Sequence, residues 1–148
     1  MKYYVAYGSN LNKEQMEIRC PGARPVGTAN LAGYRLAFKG SRTGAYLTIE
    51  EDVDSLVPVA IWAVNARHEA ALDRYEGYPR FYYKRDVVLA VNGQALKAFV
   101  YSMHEDRPHG IPSDWYVEIC REGYRDFGLD EYYLNEAVRR EVRHAAVS

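Results

Sequence analysis

A nearly continuous apolar run, LVPVAIWAV at residues 56–64, constrains the fold more than any other stretch of the sequence. Such a run is typical of a central strand that is buried on both faces. Proline has no backbone N–H to donate to a neighbouring strand, so we expect Pro58 at the start of this strand or at a bulge. The run therefore predicts a sheet with a buried centre.

Asn92-Gly93 is the second strong constraint, because this dipeptide favours the tight turn of a β-hairpin. It joins candidate strands at Tyr82–Val91 and Gln94–Met103. Further strands are expected at Lys2–Ala6 and at residues 26–31, 34–38 and 45–50. Two of these, 26–31 and 34–38, look like a hairpin pair around Ala32-Gly33.

Four helices are expected from capping signals and apolar spacing. They lie at residues 12–19, 68–75, 113–127 and 130–143, with candidate N-caps at Asn12, Asn65 and Ser113. Many strands with segregated helices indicate an α+β fold in which antiparallel pairing dominates, arranged as a small β-barrel. With 148 residues, the chain is expected to form one domain over residues 1–148.

The composition argues against several classes of partner. The net charge of -1 argues against a nucleic-acid-binding protein, which would carry an excess of basic residues. It also provides no electrostatic attraction to an anionic membrane. No apolar run approaches the roughly 20 residues of a membrane span. The N-terminus does not resemble a signal peptide, and two distant cysteines, Cys20 and Cys120, favour reduced thiols in a cytoplasmic protein. Fourteen tyrosines against four phenylalanines predict that some tyrosines line a wet cleft.

The segment Tyr7-Gly8-Ser9-Asn10 places turn chemistry directly after a strand. Successive backbone N–H groups in a tight turn that leads into a helix form a concave anion site, and Ser9 and Asn10 add short polar side chains. The segment has neither the lysine of a phosphate-binding loop nor the spacing of a dinucleotide loop. Its expected guest is a small carboxylate or a polarised carbonyl. An ordinary strand-to-helix turn would use the same residue types.

Glu76 is expected in the last turn of its helix, just before Gly77. The helix dipole presents partial negative charge there, so the charged carboxylate is disfavoured and its pKa should rise. Burial beside the neighbouring aromatic residues would raise it further. A raised carboxyl pKa suits a general acid or base near neutral pH. The alternative is a solvated carboxylate paired with Arg74 or Arg80.

The histidines and cysteines suggest two rival sites. Neither His104 and His109 nor the two cysteines show the close ligand spacing of structural zinc, so no metal site is expected. A thiol enzyme would use Cys120 with one of these histidines. Cys120 follows Ile119 at helical spacing from other apolar residues, which favours a buried core cysteine instead.

Several segments together resemble the γ-glutamylcyclotransferase-like family. The matching stretches are Tyr7-Gly8-Ser9-Asn10-Leu11, Gln15-Met16, Arg19-Cys20-Pro21, residues 58–64, Leu72-Asp73-Arg74-Tyr75-Glu76-Gly77 with Pro79, residues 98–103, and Pro112-Ser113 with Tyr116. The resemblance covers roughly residues 3 to 135. The first segment alone is short, whereas its combination with LDRYEG at this separation is fairly specific.

This resemblance implies a mixed barrel with packed helices and an enzyme without a cofactor. Such enzymes release 5-oxoproline from a small γ-glutamyl compound. By resemblance, Tyr7, Gly8, Ser9 and Asn10 bind the α-amino acid end of the substrate and Glu76 is the catalytic base. Two pocket tyrosines of the family match Tyr83 and Tyr116, although Tyr82 lies next to Tyr83 and is the alternative for the first.

The leaving group of the substrate is left open by the sequence. The related reactions are cyclisation of γ-glutamylamines and deprotection of a γ-glutamyl intermediate, and a non-catalytic γ-glutamyl-binding module is a third alternative. The far wall of the pocket should determine which leaving group is accepted. We expect this wall at residues 34–42, 78–81 and 104–111. Arg42, Arg80 and Arg107 are candidates there for binding a second carboxylate. Both a monomer and a homodimer fit the sequence.

Overall fold

The computed structural model describes residues 1–147 of the chain. Five strands and four helices follow one another in the order β1 (Lys2–Ala6), a 3-10 turn (Ser9–Leu11), α1 (Lys13–Arg19), β2 (Arg24–Lys39), β3 (Tyr46–Val64), α2 (Ala66–Glu76), β4 (Tyr82–Val91), β5 (Gln94–Met103), α3 (Asp114–Phe127) and α4 (Tyr132–Val147). The bounds expected for β1, β4 and β5 are confirmed. Asn92 and Gly93 both have positive φ, at 51° and 79°, as the hairpin between β4 and β5 requires.

The strands form one sheet in the order β2-β3-β1-β5-β4. The pair β1–β5 is parallel, and β1–β3, β2–β3 and β4–β5 are antiparallel. The α+β class with mixed, mostly antiparallel pairing is thereby confirmed. Within residues 1–147 the sheet is not closed by a ladder between its edge strands, so the expected barrel is a curled open sheet. The edges still approach each other, because a Cβ on Gly27 of β2 would lie 3.0 Å from Val91 Cγ1 of β4.

The prediction of a hairpin around Ala32-Gly33 is wrong. Residues 26–31 and 34–38 belong to the single strand β2, which passes a bulge between Ala32 and Tyr34. Gly33, with φ of 85°, takes up the irregular backbone of the bulge instead of a turn. Its partner β3 likewise joins the two strands expected at 45–50 and 56–64.

Pro58 lies inside β3 instead of at its start. It is paired with Asn30 of β2, whereas the ladder with β1 ends at Ala60. At Pro58 the strand therefore has a neighbour on one side only, so its missing N–H leaves no gap in a ladder with β1.

The helices begin at the caps that the sequence indicates. The side chains of Asn12, Asn65 and Ser113 accept hydrogen bonds from the first turns of α1, α2 and α3. The helix α4 differs from its expected range of 130–143, because it begins at Tyr132 and continues to Val147. No helix within residues 1–147 combines the length and the apolar character that crossing a bilayer would require.

Helix α3 packs very closely on the loop that follows β1. A Cβ on Gly123 would lie 2.6 Å from the backbone nitrogen of Asn12 and 2.6 Å from Leu11 Cβ, so only glycine fits there. On the same side, Asn12 Nδ2 donates to the Ile119 carbonyl at 3.0 Å. These contacts fix the position of residues 8–12 relative to α3.

Candidate active site

A cavity of about 520 Å³ lies where the loop after β1, the end of α2, the start of β3 and the first turns of α3 meet. This volume is in the range of small-molecule sites. Half of the chain's tyrosines line it, which confirms the expectation of a tyrosine-lined cleft: Tyr4, Tyr7, Tyr46, Tyr75, Tyr82, Tyr101 and Tyr116. Of the predicted site residues, all except Tyr83 line this cavity.

The loop after β1 presents a buried 3-10 turn to the cavity. Ser9 and Asn10 are both buried, and as the first two residues of the turn their N–H groups have no acceptor within it. The Asn10 carbonyl accepts a hydrogen bond from Trp62 Nε1 at 3.1 Å, and its Nδ2 donates to the Tyr4 hydroxyl at 2.9 Å. Trp62 and Tyr4 thus hold the turn in place, while the backbone N–H groups of Ser9 and Asn10 remain available to a ligand.

Arg19 and Tyr75 form one wall of the cavity. The Arg19 guanidinium stacks on the Tyr75 ring with Cζ 3.4 Å from the centroid. It also donates to Asn10 Oδ1 and, at 3.2 Å, to Gln15 Oε1. The Tyr75 hydroxyl lies 2.9 Å from Ser9 Oγ, in a hydrogen bond that either group can donate. The Arg19 guanidinium is therefore fixed by its contacts with Tyr75, Asn10 and Gln15.

Glu76 is the last residue of α2, as expected, and Gly77 follows it in the left-handed conformation with φ of 65°. The side chain is partly buried at the cavity, and burial raises its pKa from the ordinary 4.5 to about 8. The positive charge of Arg19 acts in the opposite direction and only partly offsets the effect of burial. Among the described residues, the Glu76 carboxyl has no hydrogen-bond or ion-pair partner. The fold thus places a partly buried carboxyl at the cavity without a polar partner.

Tyr82, and not Tyr83, faces the cavity. The Tyr82 hydroxyl donates to the Leu47 carbonyl at 2.7 Å, and the Leu47 N–H donates to the Tyr116 hydroxyl at 3.1 Å. The Tyr83 hydroxyl instead donates to a carboxylate oxygen of Glu105 on the outside of β4. The assignment of Tyr83 to the pocket is therefore corrected to Tyr82. Successive residues of a strand face opposite sides, and the register of β4 on β5 turns Tyr82 inward.

The far wall also differs from the prediction. Of residues 34–42, 78–81 and 104–111, only Phe81 lines the cavity, and none of Arg42, Arg80 and Arg107 does. That wall consists of residues that the sequence did not indicate: Tyr46, Leu47, Trp115 and Ile119. They come from β3 and α3, which meet only in the folded chain, so no local signal marks them.

The loop at residues 104–111 is held by several contacts and does not itself line the cavity, although Arg107 lies over the ring of Phe81 behind the cavity wall. An isolated antiparallel bridge joins His109 to Lys39, and Gly40 N donates to the Pro108 carbonyl at 2.8 Å. His109 Nδ1 lies 2.7 Å from Oε1 of Glu141, which is 6% exposed. Its Nε2 lies 3.3 Å from Glu50 Oε1, a buried oxygen that accepts no regular hydrogen bond among the described residues. We call His109, Glu50 and Glu141 the histidine bridge.

The rival sites receive no geometric support. Burial raises the pKa of the Cys120 thiol to about 12, which is opposite to what a nucleophilic cysteine requires. Cys20 is buried, and its Sγ lies 3.7 Å from the His68 carbonyl. Among residues 1–147, no three His, Cys, Asp or Glu side chains are grouped as metal ligands would be.

Comparison with known proteins identifies the family. Residues 4–118 match the family described as gamma-glutamyl cyclotransferase, AIG2-like. The gamma-glutamylcyclotransferases of Bos taurus and Homo sapiens are each 30% identical to the chain over 141 residues, which covers 88% of this chain and 73% of each relative. A solved structure of a gamma-glutamyl cyclotransferase superposes with a TM-score of 0.82 at 27% identity, covering 92% of this chain and 85% of that one. The chain therefore belongs to the gamma-glutamyl cyclotransferase, AIG2-like family of enzymes.

Proposed function

We propose that the protein cyclises the γ-glutamyl group of a small γ-glutamyl compound and releases 5-oxoproline and an amine. The α-amine nitrogen attacks the γ-carbonyl carbon, a C–N bond forms to close the five-membered ring, and the C–N bond to the leaving amine breaks. The observation that carries this proposal is the unpartnered Glu76 carboxyl, with its pKa raised to about 8, in the same cavity as the buried 3-10 turn.

The reaction moves two protons, because the attacking ammonium nitrogen carries three hydrogens and the lactam nitrogen keeps one. The α-amine of the substrate arrives as an ammonium group with a pKa of roughly 8 and must lose the first proton before it attacks. In our proposal Glu76 takes this proton and donates it to the leaving nitrogen as its C–N bond breaks. The ring nitrogen loses the second proton, which passes through solvent to the released amine, so that the amine departs as an ammonium ion. Because the pKa of Glu76 is close to that of the ammonium group, neither transfer is strongly uphill.

The turn at Ser9 and Asn10 supplies the complementary polar groups. When the amine attacks, negative charge develops on the γ-carbonyl oxygen and requires preorganised donors. The backbone N–H groups of these two residues lack an acceptor within their turn, and Trp62 and Tyr4 hold the loop in place. They are therefore suited to bind a carbonyl oxygen or the α-carboxylate of the substrate.

The attacking and attacked groups belong to one molecule, so the cavity must mainly hold that molecule in the reactive conformation. Tyr7, Tyr82 and Tyr116 contribute rigid walls for this purpose. The hydroxyls of Tyr7 and Tyr82 donate to the backbone carbonyls of Tyr101 and Leu47 at 2.9 and 2.7 Å. No side-chain nucleophile takes part in this scheme.

The proposal is tested by measuring 5-oxoproline released from γ-glutamyl dipeptides and γ-glutamylamines by the wild type, Glu76→Gln and Glu17→Gln. The glutamine at position 76 keeps the size of the side chain but cannot exchange the proton. We expect its turnover to fall about 10²- to 10⁴-fold. Glu17 is an exposed carboxylate on α1, and its variant should match the wild type.

Calorimetric titration separates binding from chemistry in the Glu76→Gln variant. Retained binding with lost turnover would support the assigned role. Unchanged turnover in this variant would refute Glu76 as the base, and the absence of 5-oxoproline from every wild-type reaction would refute the proposed reaction.

A further inference from the structure

Three aromatic side chains both line the cavity and are exposed to solvent. Tyr46, Tyr75 and Trp115 all line it, and they are 48%, 45% and 73% exposed. Tryptophan is highly buried on average in folded proteins, as Trp62 is here at 4%. An exposed indole that also lines a cavity is therefore unusual. We call these three residues the aromatic rim.

The rim is built from three different elements, and two of its rings are fixed without a ligand. Tyr46 at the start of β3 packs edge-to-face on Tyr116, with ring centroids 5.2 Å apart and an interplanar angle of 88°. Tyr75 on α2 is held by Arg19 on its face and by Ser9 at its hydroxyl. Trp115 stands on the first turn of α3. Preorganised rings lose little freedom when they bind an apolar group.

The orientation of the substrate follows from the proposed function, on which this inference rests. The glutamyl end must lie at Glu76 and the turn of Ser9 and Asn10, where its amine is deprotonated. The leaving group is at the other end of the amide and departs to solvent, so it must point toward the open end of the cavity. The residues of the aromatic rim line the cavity and are exposed to solvent, so they are among the side chains that the leaving group meets on this path.

We propose that the aromatic rim selects γ-glutamyl compounds whose leaving amine carries an aromatic ring, with Trp115 as the main specificity-determining residue. The ring packs on exposed indole and phenol faces that are otherwise in contact with water. This contact is available to a phenylalanine-like or phenethylamine-like leaving group and not to a glycine- or alanine-like one.

A carboxylate on the leaving group is a separate variable that the test must hold constant. Arg74 also lines the cavity and is exposed. Its guanidinium can pair with the carboxylate of an amino acid leaving group, whereas a simple amine has no carboxylate to pair with it. Two matched pairs of substrates remove this variable. γ-Glutamylphenylalanine and γ-glutamylalanine both keep the carboxylate, whereas γ-glutamylphenethylamine and γ-glutamylethylamine both lack it.

The kinetic test compares kcat/KM within each pair for the wild type, Trp115→Ala, Trp115→Phe and Tyr132→Ala. We expect the wild type to prefer the aromatic member of both pairs about ten-fold. Trp115→Ala should reduce this ratio to about three-fold or less, and Trp115→Phe should largely restore it. Tyr132 is an exposed aromatic residue on α4 outside the cavity, so its variant should keep the wild-type ratio.

A wild-type ratio near one in both pairs would overturn the inference, and so would an unchanged ratio in Trp115→Ala. Either result leaves the proposed cyclisation standing, because turnover itself is then observed. A merely structural effect of Trp115→Ala would lower kcat/KM for both members of a pair equally and leave the ratio intact.

A binding measurement covers the case in which no compound is turned over. Since Trp62 is buried, acrylamide quenching reports mainly on Trp115. In Glu76→Gln, γ-glutamylphenylalanine should protect Trp115 from quenching, whereas γ-glutamylalanine at the same occupancy should not. Protection without turnover would refute the cyclisation but keep the rim as an aromatic-binding surface. Absence of protection would overturn the rim as well.

Discussion

Glu141 is buried in the histidine bridge and Glu76 is partly buried at the cavity, and the fold treats their carboxyl groups in opposite ways. In the histidine bridge, Glu141 lies 2.7 Å from one nitrogen of His109, and Glu50 lies 3.3 Å from the other. In the cavity, Glu76 has no hydrogen-bond or ion-pair partner among the described residues, and burial raises its pKa to about 8.

The difference separates a carboxyl group that connects elements of the fold from one that connects none. A carboxylate paired with histidine is compensated for its burial and joins the elements that carry the two groups. The bridge connects the loop at 104–111 to β3 and α4, and none of its three residues lines the cavity. A carboxyl without a partner adds no such connection, but its proton remains exchangeable with a ligand.

The largest effect on stability should come from breaking the histidine bridge. His109→Ala leaves buried oxygens of Glu50 and Glu141 without the ring nitrogens that face them, and we expect a loss of about 3 kcal/mol in the free energy of unfolding. Urea unfolding measures the loss. Because none of these residues lines the cavity, kcat/KM should stay within about two-fold of the wild type.

His144→Ala is the matched control, since His144 is an exposed histidine on the same side of the molecule, with its ring centroid 6.0 Å from that of His109. It should change the free energy of unfolding by less than about 0.5 kcal/mol. Equal losses in the two variants would show that the bridge contributes nothing beyond the presence of a surface histidine.

A smaller change in the free energy of unfolding should accompany the ionisation of Glu76. Its folded-state pKa of about 8 is above the ordinary value of 4.5, so the folded chain holds this proton more tightly than the unfolded chain. The associated stability is present below about pH 4.5 and is lost as the pH rises through about 8. Glu76 is only partly buried, so solvent screens its charge, and we expect a loss of about 2 kcal/mol between pH 5 and pH 9 relative to Glu76→Gln.

Unfolding of the two proteins across this pH range gives the measurement. The variant has no ionisable group at position 76, so the difference between the two curves isolates this residue. Parallel curves would mean that the carboxyl is not buried enough to resist ionisation, and the contrast with the histidine bridge would disappear.

The smallest change in the free energy of unfolding is expected from two variants that compare the inward-facing and outward-facing sides of β4. Tyr82→Phe removes a buried hydrogen bond to the Leu47 carbonyl and should cost about 1 kcal/mol of unfolding free energy. Tyr83→Phe removes an exposed hydrogen bond to Glu105 and should cost less than about 0.5 kcal/mol. The two variants delete the same atom from neighbouring residues, so thermal denaturation compares them directly. A larger loss in Tyr83→Phe would contradict the placement of these side chains.

Local signals were sufficient for several parts of the molecule. Asn92-Gly93 gave the correct ends of β4 and β5, and Glu76 before Gly77 was identified from the chemistry of helix ends alone. These features depend on residues within one turn or one hairpin. They are therefore already present in a short stretch of sequence.

The parts that the sequence did not reveal depend on distant partners. Gly33 has turn chemistry, but the pairing of β2 along β3 keeps the chain extended past it. Whether Tyr82 or Tyr83 points inward depends on the register of β4 on β5, because a shift of one residue exchanges the two faces. Tyr46 and Trp115 become neighbours of the site only when β3 and α3 come together.

Helix α3 contacts the turn of Ser9 and Asn10 through Gly123 and Leu11, and it presents Trp115 about 12 Å away along its axis. Position 123 tolerates no side chain, whereas the Trp115 side chain is largely exposed and can be replaced without disturbing the packed end of the helix. Substitutions at the exposed end of α3 can therefore accumulate over evolution without displacing the turn of Ser9 and Asn10 or Glu76 on α2. Under the proposed function, a lineage built on this scaffold can change its leaving group while the cyclisation is inherited unchanged.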